Sequence, residues 1–100
     1  MRVRVHLYYS DIMYDILAEE TTTLKELLQR CEIPENTVLF TAPPFDPRMT
    51  PLVNLEKTLK DYNMWFPEKS YVAEISVYNE TDTYNKKLYE MYLEAAKKID

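Results

Sequence analysis

Residues 2–31 read RVRVHLYYSDIMYDILAEETTTLKELLQRC, and the change of period inside this stretch decides the fold. From Arg2 to Tyr8, Val3, Val5 and Leu7 alternate with Arg2, Arg4, His6 and Tyr8. That is the two-residue period of a strand with one buried face. Tyr9, Ser10 and Asp11 supply a turn, after which Ile12, Tyr14, Ile16 and Ala18 alternate with Met13, Asp15 and Leu17. The two runs predict an antiparallel hairpin whose outward side is mixed, because Met13 and Leu17 lie among its polar residues. After Glu20 the spacing changes to three and four, placing Leu24, Leu27, Leu28 and Cys31 on one face of a helix. Thr23 caps that helix, and Glu26 three positions on completes a capping box.

Downstream, Pro34 stops the helix, and Thr37 to Thr41 reads as a short third strand. Ala42 to Pro51, APPFDPRMTP, holds four of the six prolines, which predicts a stiff, extended surface loop. Within it, Pro44, Phe45, Asp46 and Pro47 form a P-x-x-P element of the kind that polyproline-binding grooves read. Leu52, Leu55 and Leu59 fall at helical spacing in a segment short enough to be an irregular turn. Pro67 marks a further turn, and Tyr71, Ala73, Ile75 and Val77 alternate with Val72, Glu74 and Ser76 as a last strand. From about Asp82 to Asp100 a final amphipathic helix carries Tyr84, Leu88, Met91, Tyr92, Ala95 and Ile99 on one stripe. The chain contains no glycine, so its tight turns must use Asn, Asp, Ser and Pro.

With 100 residues, 46% of them hydrophobic and 29% charged, the chain has room for one small core. A net charge of −5 argues against nucleic acid and anionic membrane as ligands, since both demand a basic face. No apolar run approaches the roughly 20 residues that span a bilayer. The lone Cys31 excludes an internal disulfide and points to a cytoplasmic setting.

Catalytic and metal chemistry find few residues to work with. His6 is the single histidine and lies on the outward side of its strand, whereas Cys31 lies on the buried helix face, so the sheet separates them. One His and one Cys make no zinc site, and a phosphate loop requires the glycines that are missing. These residues predict no enzyme, no cofactor, no metal and no small-molecule substrate.

The order strand, strand, helix, strand, loop, strand is the β-grasp plan. TLKDYNM, Thr58 to Met64, resembles the TLSDYNI of ubiquitin and stands in the same place, ahead of the last strand. IPENTVLF, Ile33 to Phe40, is similar to the family's helix exit and third strand, and MRVRVHLYY matches its opening strand in length and alternation. The resemblance implies an α+β ubiquitin-like β-grasp domain over residues 1–78, with 79–100 as a helical extension. It also implies a non-conjugated, stand-alone member, because the Gly-Gly terminus of conjugated members has no counterpart in a chain ending Lys98, Ile99 and Asp100.

In the family, the outer face of the sheet binds most partners. The matching face here is expected to hold Arg4, His6 and Tyr8 from the first strand, Leu39 from the third, and Val72 and Glu74 from the last. Arg2 and Arg4, at i and i+2, project to one side where an acidic partner could read them, unless Asp15 and Glu74 balance them across the sheet. Trp65 and Phe66 beside Pro67 are either an aromatic anchor for a partner or lie beneath the last helix. The expected function is therefore protein binding through Arg2, Arg4, Tyr8, Leu39, Trp65, Phe66 and Val72. The alternative is a structural subunit that homodimerises through its last helix.

Overall fold

The computed structural model describes residues 2–69, 72–79 and 86–98. Strands β1 (Arg2–Tyr9) and β2 (Ile12–Glu19) form the expected hairpin, joined by Ser10 and Asp11, with Tyr9 paired to Ile12 and Arg2 to Glu19. Helix α1 (Leu24–Arg30) follows, then β3 (Thr37–Thr41), β4 (Ala73–Asn79) and helix α2 (Lys86–Lys97). The sheet runs β2-β1-β4-β3, with β4 parallel to β1 and antiparallel to β3. The first and last strands are thus central neighbours, which is the mixed arrangement expected of a β-grasp.

Alternation sorts the strands into two faces. Val3, Val5 and Leu7 from β1, Ala18 from β2, and Ala73, Ile75 and Val77 from β4 are buried with Leu24, Leu27 and Leu28 of α1. Burial of each such aliphatic side chain stabilises the fold by about 1.5–3 kcal/mol. The start of α1 is fixed twice over. Thr23 Oγ1 accepts from the Glu26 amide at 3.2 Å while a Glu26 carboxylate oxygen accepts from the Thr23 amide at 3.1 Å. The next amides, of Leu24 and Lys25, donate to the carbonyls of Lys57 and Leu55. Those donors have no partner within a helix, so the helix start is tied to the distant 55–57 segment.

That segment is not a helix. Leu52 and Leu59 are buried, but the chain reaches them through turns, and Thr58 and Asp61 cap a single turn by exchanging amide-to-side-chain hydrogen bonds of 3.0 and 3.2 Å. The proline-rich stretch also differs from expectation, because it folds back instead of extending. Thr41 Oγ1 and Thr50 Oγ1 donate to Asp46 Oδ2 at 2.8 and 2.7 Å, and the Arg48 amide donates to Asp46 Oδ1 at 3.0 Å. The returning chain then borders β3, where the Leu52 amide donates to the Leu39 carbonyl at 2.8 Å. Phe45 packs against the core and Asp46 turns into the loop, so the P-x-x-P element is folded in on itself.

The third strand corrects one expected position. Leu39 points inward, fully buried opposite Val77, and it is Val38 and Phe40 that face outward. Val38, Leu39 and Phe40 are consecutive apolar residues, so period alone does not show which side each takes. Pairing to β4 decides the phase, since a one-residue slip would exchange every side chain between faces.

Candidate interaction surface

On the outer face of the hairpin, charge is laid out in rows. The Arg2 Nε lies 3.6 Å from Glu19 and the Arg4 Nε 3.3 Å from Asp15, all four side chains being largely exposed. Deeper in the sheet, His6 sits opposite Glu74 on the parallel ladder, with its Nδ1 3.1 and 3.2 Å from the two carboxylate oxygens. Its other ring nitrogen, Nε2, lies 3.7 Å from Asp15, so the imidazole bridges two carboxylates. The Tyr8 hydroxyl also donates to Glu74, which is buried although it stands on the outward side. Burial, reinforced by the hydrogen bond and the charge of Glu74, raises the Tyr8 pKa, so the phenol stays protonated and donating. Asp15 balances Arg4 as the pattern suggested, whereas Glu74 serves His6 and Tyr8.

At the Arg2 end this ladder opens into a groove of about 300 Å³ lined by Arg2, Val3, Arg4, Leu17, Phe66, Pro67 and Val72. Four of the residues singled out in the sequence, Arg2, Arg4, Phe66 and Val72, therefore converge. The arrangement is an apolar floor of Leu17, Phe66 and Val72 beside two guanidinium groups. Exposed ion pairs contribute only about 0–1 kcal/mol each, so these guanidiniums exchange carboxylate partners readily. Leu17 was missed as a site residue, although its exposed apolar side chain on the outward row of β2 was the signal.

The remaining expected residues lie elsewhere. Tyr8 shares the outer face but belongs to the Glu74 cluster, and Leu39 is in the core. Trp65 packs partly against the core and lines a separate depression with Glu19, Glu20, Thr21 and Pro67. Pro67 borders both hollows, Trp65 lining one and Phe66 the other. A further hollow, of about 570 Å³, lies at the other end of the sheet around Tyr8, Tyr9, Ser10, Asp11, Ser76, Val77, Tyr78 and Asn79. No lysine or arginine lines it.

Cys31 is a buried free thiol whose pKa is raised by that burial, and His6 lies on the far side of the sheet. Among the described residues no group of His, Cys, Asp and Glu is placed to hold a metal ion, and no helix is long and apolar enough to cross a membrane.

Neither a protein-family model nor a curated protein matches the sequence. Solved structures do match the fold. The ubiquitin-like domain of the Arabidopsis thaliana protein At2g32350, solved by solution NMR, superposes with a TM-score of 0.58 at 14% identity, covering 78% of this chain and 77% of that one. A second NMR structure of At2g32350, determined with evolutionary couplings, gives a TM-score of 0.57 at 16% identity over 85% of this chain and 94% of that one. At such identity the likeness concerns the fold alone. The chain has the ubiquitin-like β-grasp fold.

Proposed function

We propose that this chain is a non-catalytic, non-conjugated protein-interaction domain that docks a partner in the groove between Arg2, Arg4, Leu17, Phe66 and Val72. The observation that carries this reading is the convergence of two exposed guanidinium groups on one apolar floor. That chemistry suits a segment with an apolar anchor next to carboxylates, which would take the arginines from Asp15 and Glu19. The separation of His6 from the buried Cys31 supports a role without catalysis, and the single free cysteine supports a cytoplasmic setting.

The test is affinity capture with the full chain and with two variants, Arg2→Glu combined with Arg4→Glu, and Phe66→Ala. A partner held by the wild type, lost by both variants and released by raised salt supports the reading. A partner held equally by all three sinks it. A homodimer through α2 is the second reading, favoured by the exposure of Met91 and Leu93 on that helix. Light scattering over a concentration series decides it, and a constant monomer mass removes it.

A further inference from the structure

The outer face of the sheet has two unlike halves. Toward β2 it is the open polar ladder. Over β3 it is apolar, with Val38 3% and Phe40 0% exposed although both point away from the core. Their cover is α2. The ring of Tyr92 meets that of Phe40 edge to face at 5.9 Å between centroids, and Tyr78 flanks Phe40 from β4 at 6.2 Å.

The burial is one-sided. Phe40 is wholly covered, yet no residue of α2 is itself buried. Leu88, Tyr92 and Ala95 form a half-buried stripe with Tyr89 beside it, while Met91 and Leu93 on the two flanks stay 39% and 43% exposed. The apolar arc of the helix is thus wider than its seat. A helix of 12 residues is marginal in water on its own. Segments with little buried apolar contact open locally while the rest of a domain stays folded.

We propose that α2 is an exchangeable cover, and that the face formed by Val38, Phe40 and Tyr78 is a docking site for the apolar stripe of a partner protein's amphipathic helix, with an aromatic ring in the place of Tyr92. The cis occupant defines the chemistry, since α2 shows that the seat accepts a helix with a ring set against Phe40. The site is separate from the groove at Arg2 and Arg4 and does not depend on it.

Hydrogen exchange on the full wild-type chain tests the opening. Amides of α2 are expected to exchange at least 100-fold faster than those of β1 and β4, with the sheet still protected. A labelled synthetic peptide of residues 80–100 then serves as the probe helix. It is expected to bind the full chain carrying Leu88→Asp and Tyr92→Asp at least tenfold more tightly than wild type, and adding Phe40→Leu is expected to reverse that gain. Amides of α2 that exchange only together with the sheet overturn the proposal, as does equal peptide binding by wild type and variant. A double variant that fails to fold overturns it as well, because an exchangeable cover leaves the sheet standing. A wild type that is a stable dimer with α2 protected assigns the seat to a second copy and also overturns it.

Discussion

Tyr8 donates its hydroxyl to the carboxylate of Glu74, 3.0 and 3.1 Å from the two oxygens, on the side of the sheet that faces away from the core. Glu74 is only 6% exposed there, and His6 Nδ1 approaches the same carboxylate from the neighbouring strand. A buried carboxylate is tolerated when its acceptor positions are filled, and leaving its partners unmatched is costly. Glu74→Ala is therefore expected to lower stability by about 1–3 kcal/mol in urea unfolding, and Glu74→Gln by less, since it keeps an acceptor. In ultraviolet titration the Tyr8 pKa, raised mainly by burial and secondarily by Glu74, should fall only partway toward its ordinary value in Glu74→Gln. A raised folded-state pKa keeps its stabilising effect below the unfolded tyrosine value and loses it as pH climbs through the folded one. The wild type should thus weaken in alkali above about pH 10 more than Tyr8→Phe does.

Asp46 holds the proline-rich loop closed, and the expected response to acid has the opposite sense. Hydrogen bonds from Thr50 first, and then from Arg48 and Thr41, hold its carboxyl well below the usual carboxylate range. A depressed pKa stabilises above the unfolded value, near 3.9, and that contribution fades as pH falls through the folded one. Asp46→Ala is expected to cost about 2–3 kcal/mol at neutral pH, consistent with several charge-assisted hydrogen bonds. Its stability should also decline less steeply than that of wild type below about pH 4. Equal acid profiles in denaturant melts at stepped pH would show that Asp46 does not organise the loop.

The hairpin, α1 and β3 were legible in the sequence because each rule there is local. Alternation in Arg2–Tyr8, the Thr23 and Glu26 capping pair, and the stop at Pro34 act over a few residues and meet no competing signal. Leu39 was not legible, since three apolar residues in a row have no phase until β4 supplies one. The loop at Ala42–Pro51 was misread for a related reason. Its prolines announce irregular backbone, but the closure depends on Asp46 meeting Thr41 of the preceding strand, a contact that no local pattern encodes. The groove was half legible. Arg2 and Arg4 share a face by period, whereas their meeting with Phe66 and Val72 follows from the parallel pairing of β1 with β4. The expected helix from Asp82 is described only from Lys86, so Tyr84 and Ile99 of its stripe lie outside the described residues.

Tyr62, in the stretch resembling ubiquitin, gives a sharper test of the irregular 52–64 segment. The Asn54 amide donates to the Tyr62 oxygen at 2.8 Å, and the Tyr62 hydroxyl donates back to the Asn54 carbonyl at 3.3 Å. The ring is partly buried against the core, with Lys57 Nζ 5.6 Å from its centre, and burial raises the phenol's pKa. Tyr62→Phe keeps the ring and deletes one atom. The Asn54 amide then loses its acceptor, and a loss of about 1–2 kcal/mol is expected with an unchanged denaturant slope. No loss would mean that water replaces the hydroxyl and that packing of the ring alone holds the segment.

The absence of glycine has a measurable consequence at the end of α1. Glu32 adopts φ of 57°, its amide donates to the Gln29 carbonyl at 3.1 Å, and the Ile33 amide donates to that of Leu28 at 2.9 Å. This is a Schellman ending, with Leu28 and Ile33 buried together as its apolar contact, and its left-handed position is one that glycine usually fills. A side chain there costs about 1–2 kcal/mol through the clash of Cβ with the backbone. Glycine removes that clash but gives back about 0.5–1 kcal/mol through greater freedom in the unfolded chain. Glu32→Gly is thus expected to raise stability by about 0.5–1 kcal/mol, visible as a higher urea midpoint at constant slope. Asn63, at φ of 59°, closes the turn after Leu59 with the same pair of bonds, from Met64 to Leu59 and from Asn63 to Lys60. Asparagine tolerates the left-handed region better than glutamate, so Asn63→Gly should gain less. If Glu32→Gly instead lowers the midpoint, the side chain at position 32 holds the helix end in place and backbone strain is not what limits it.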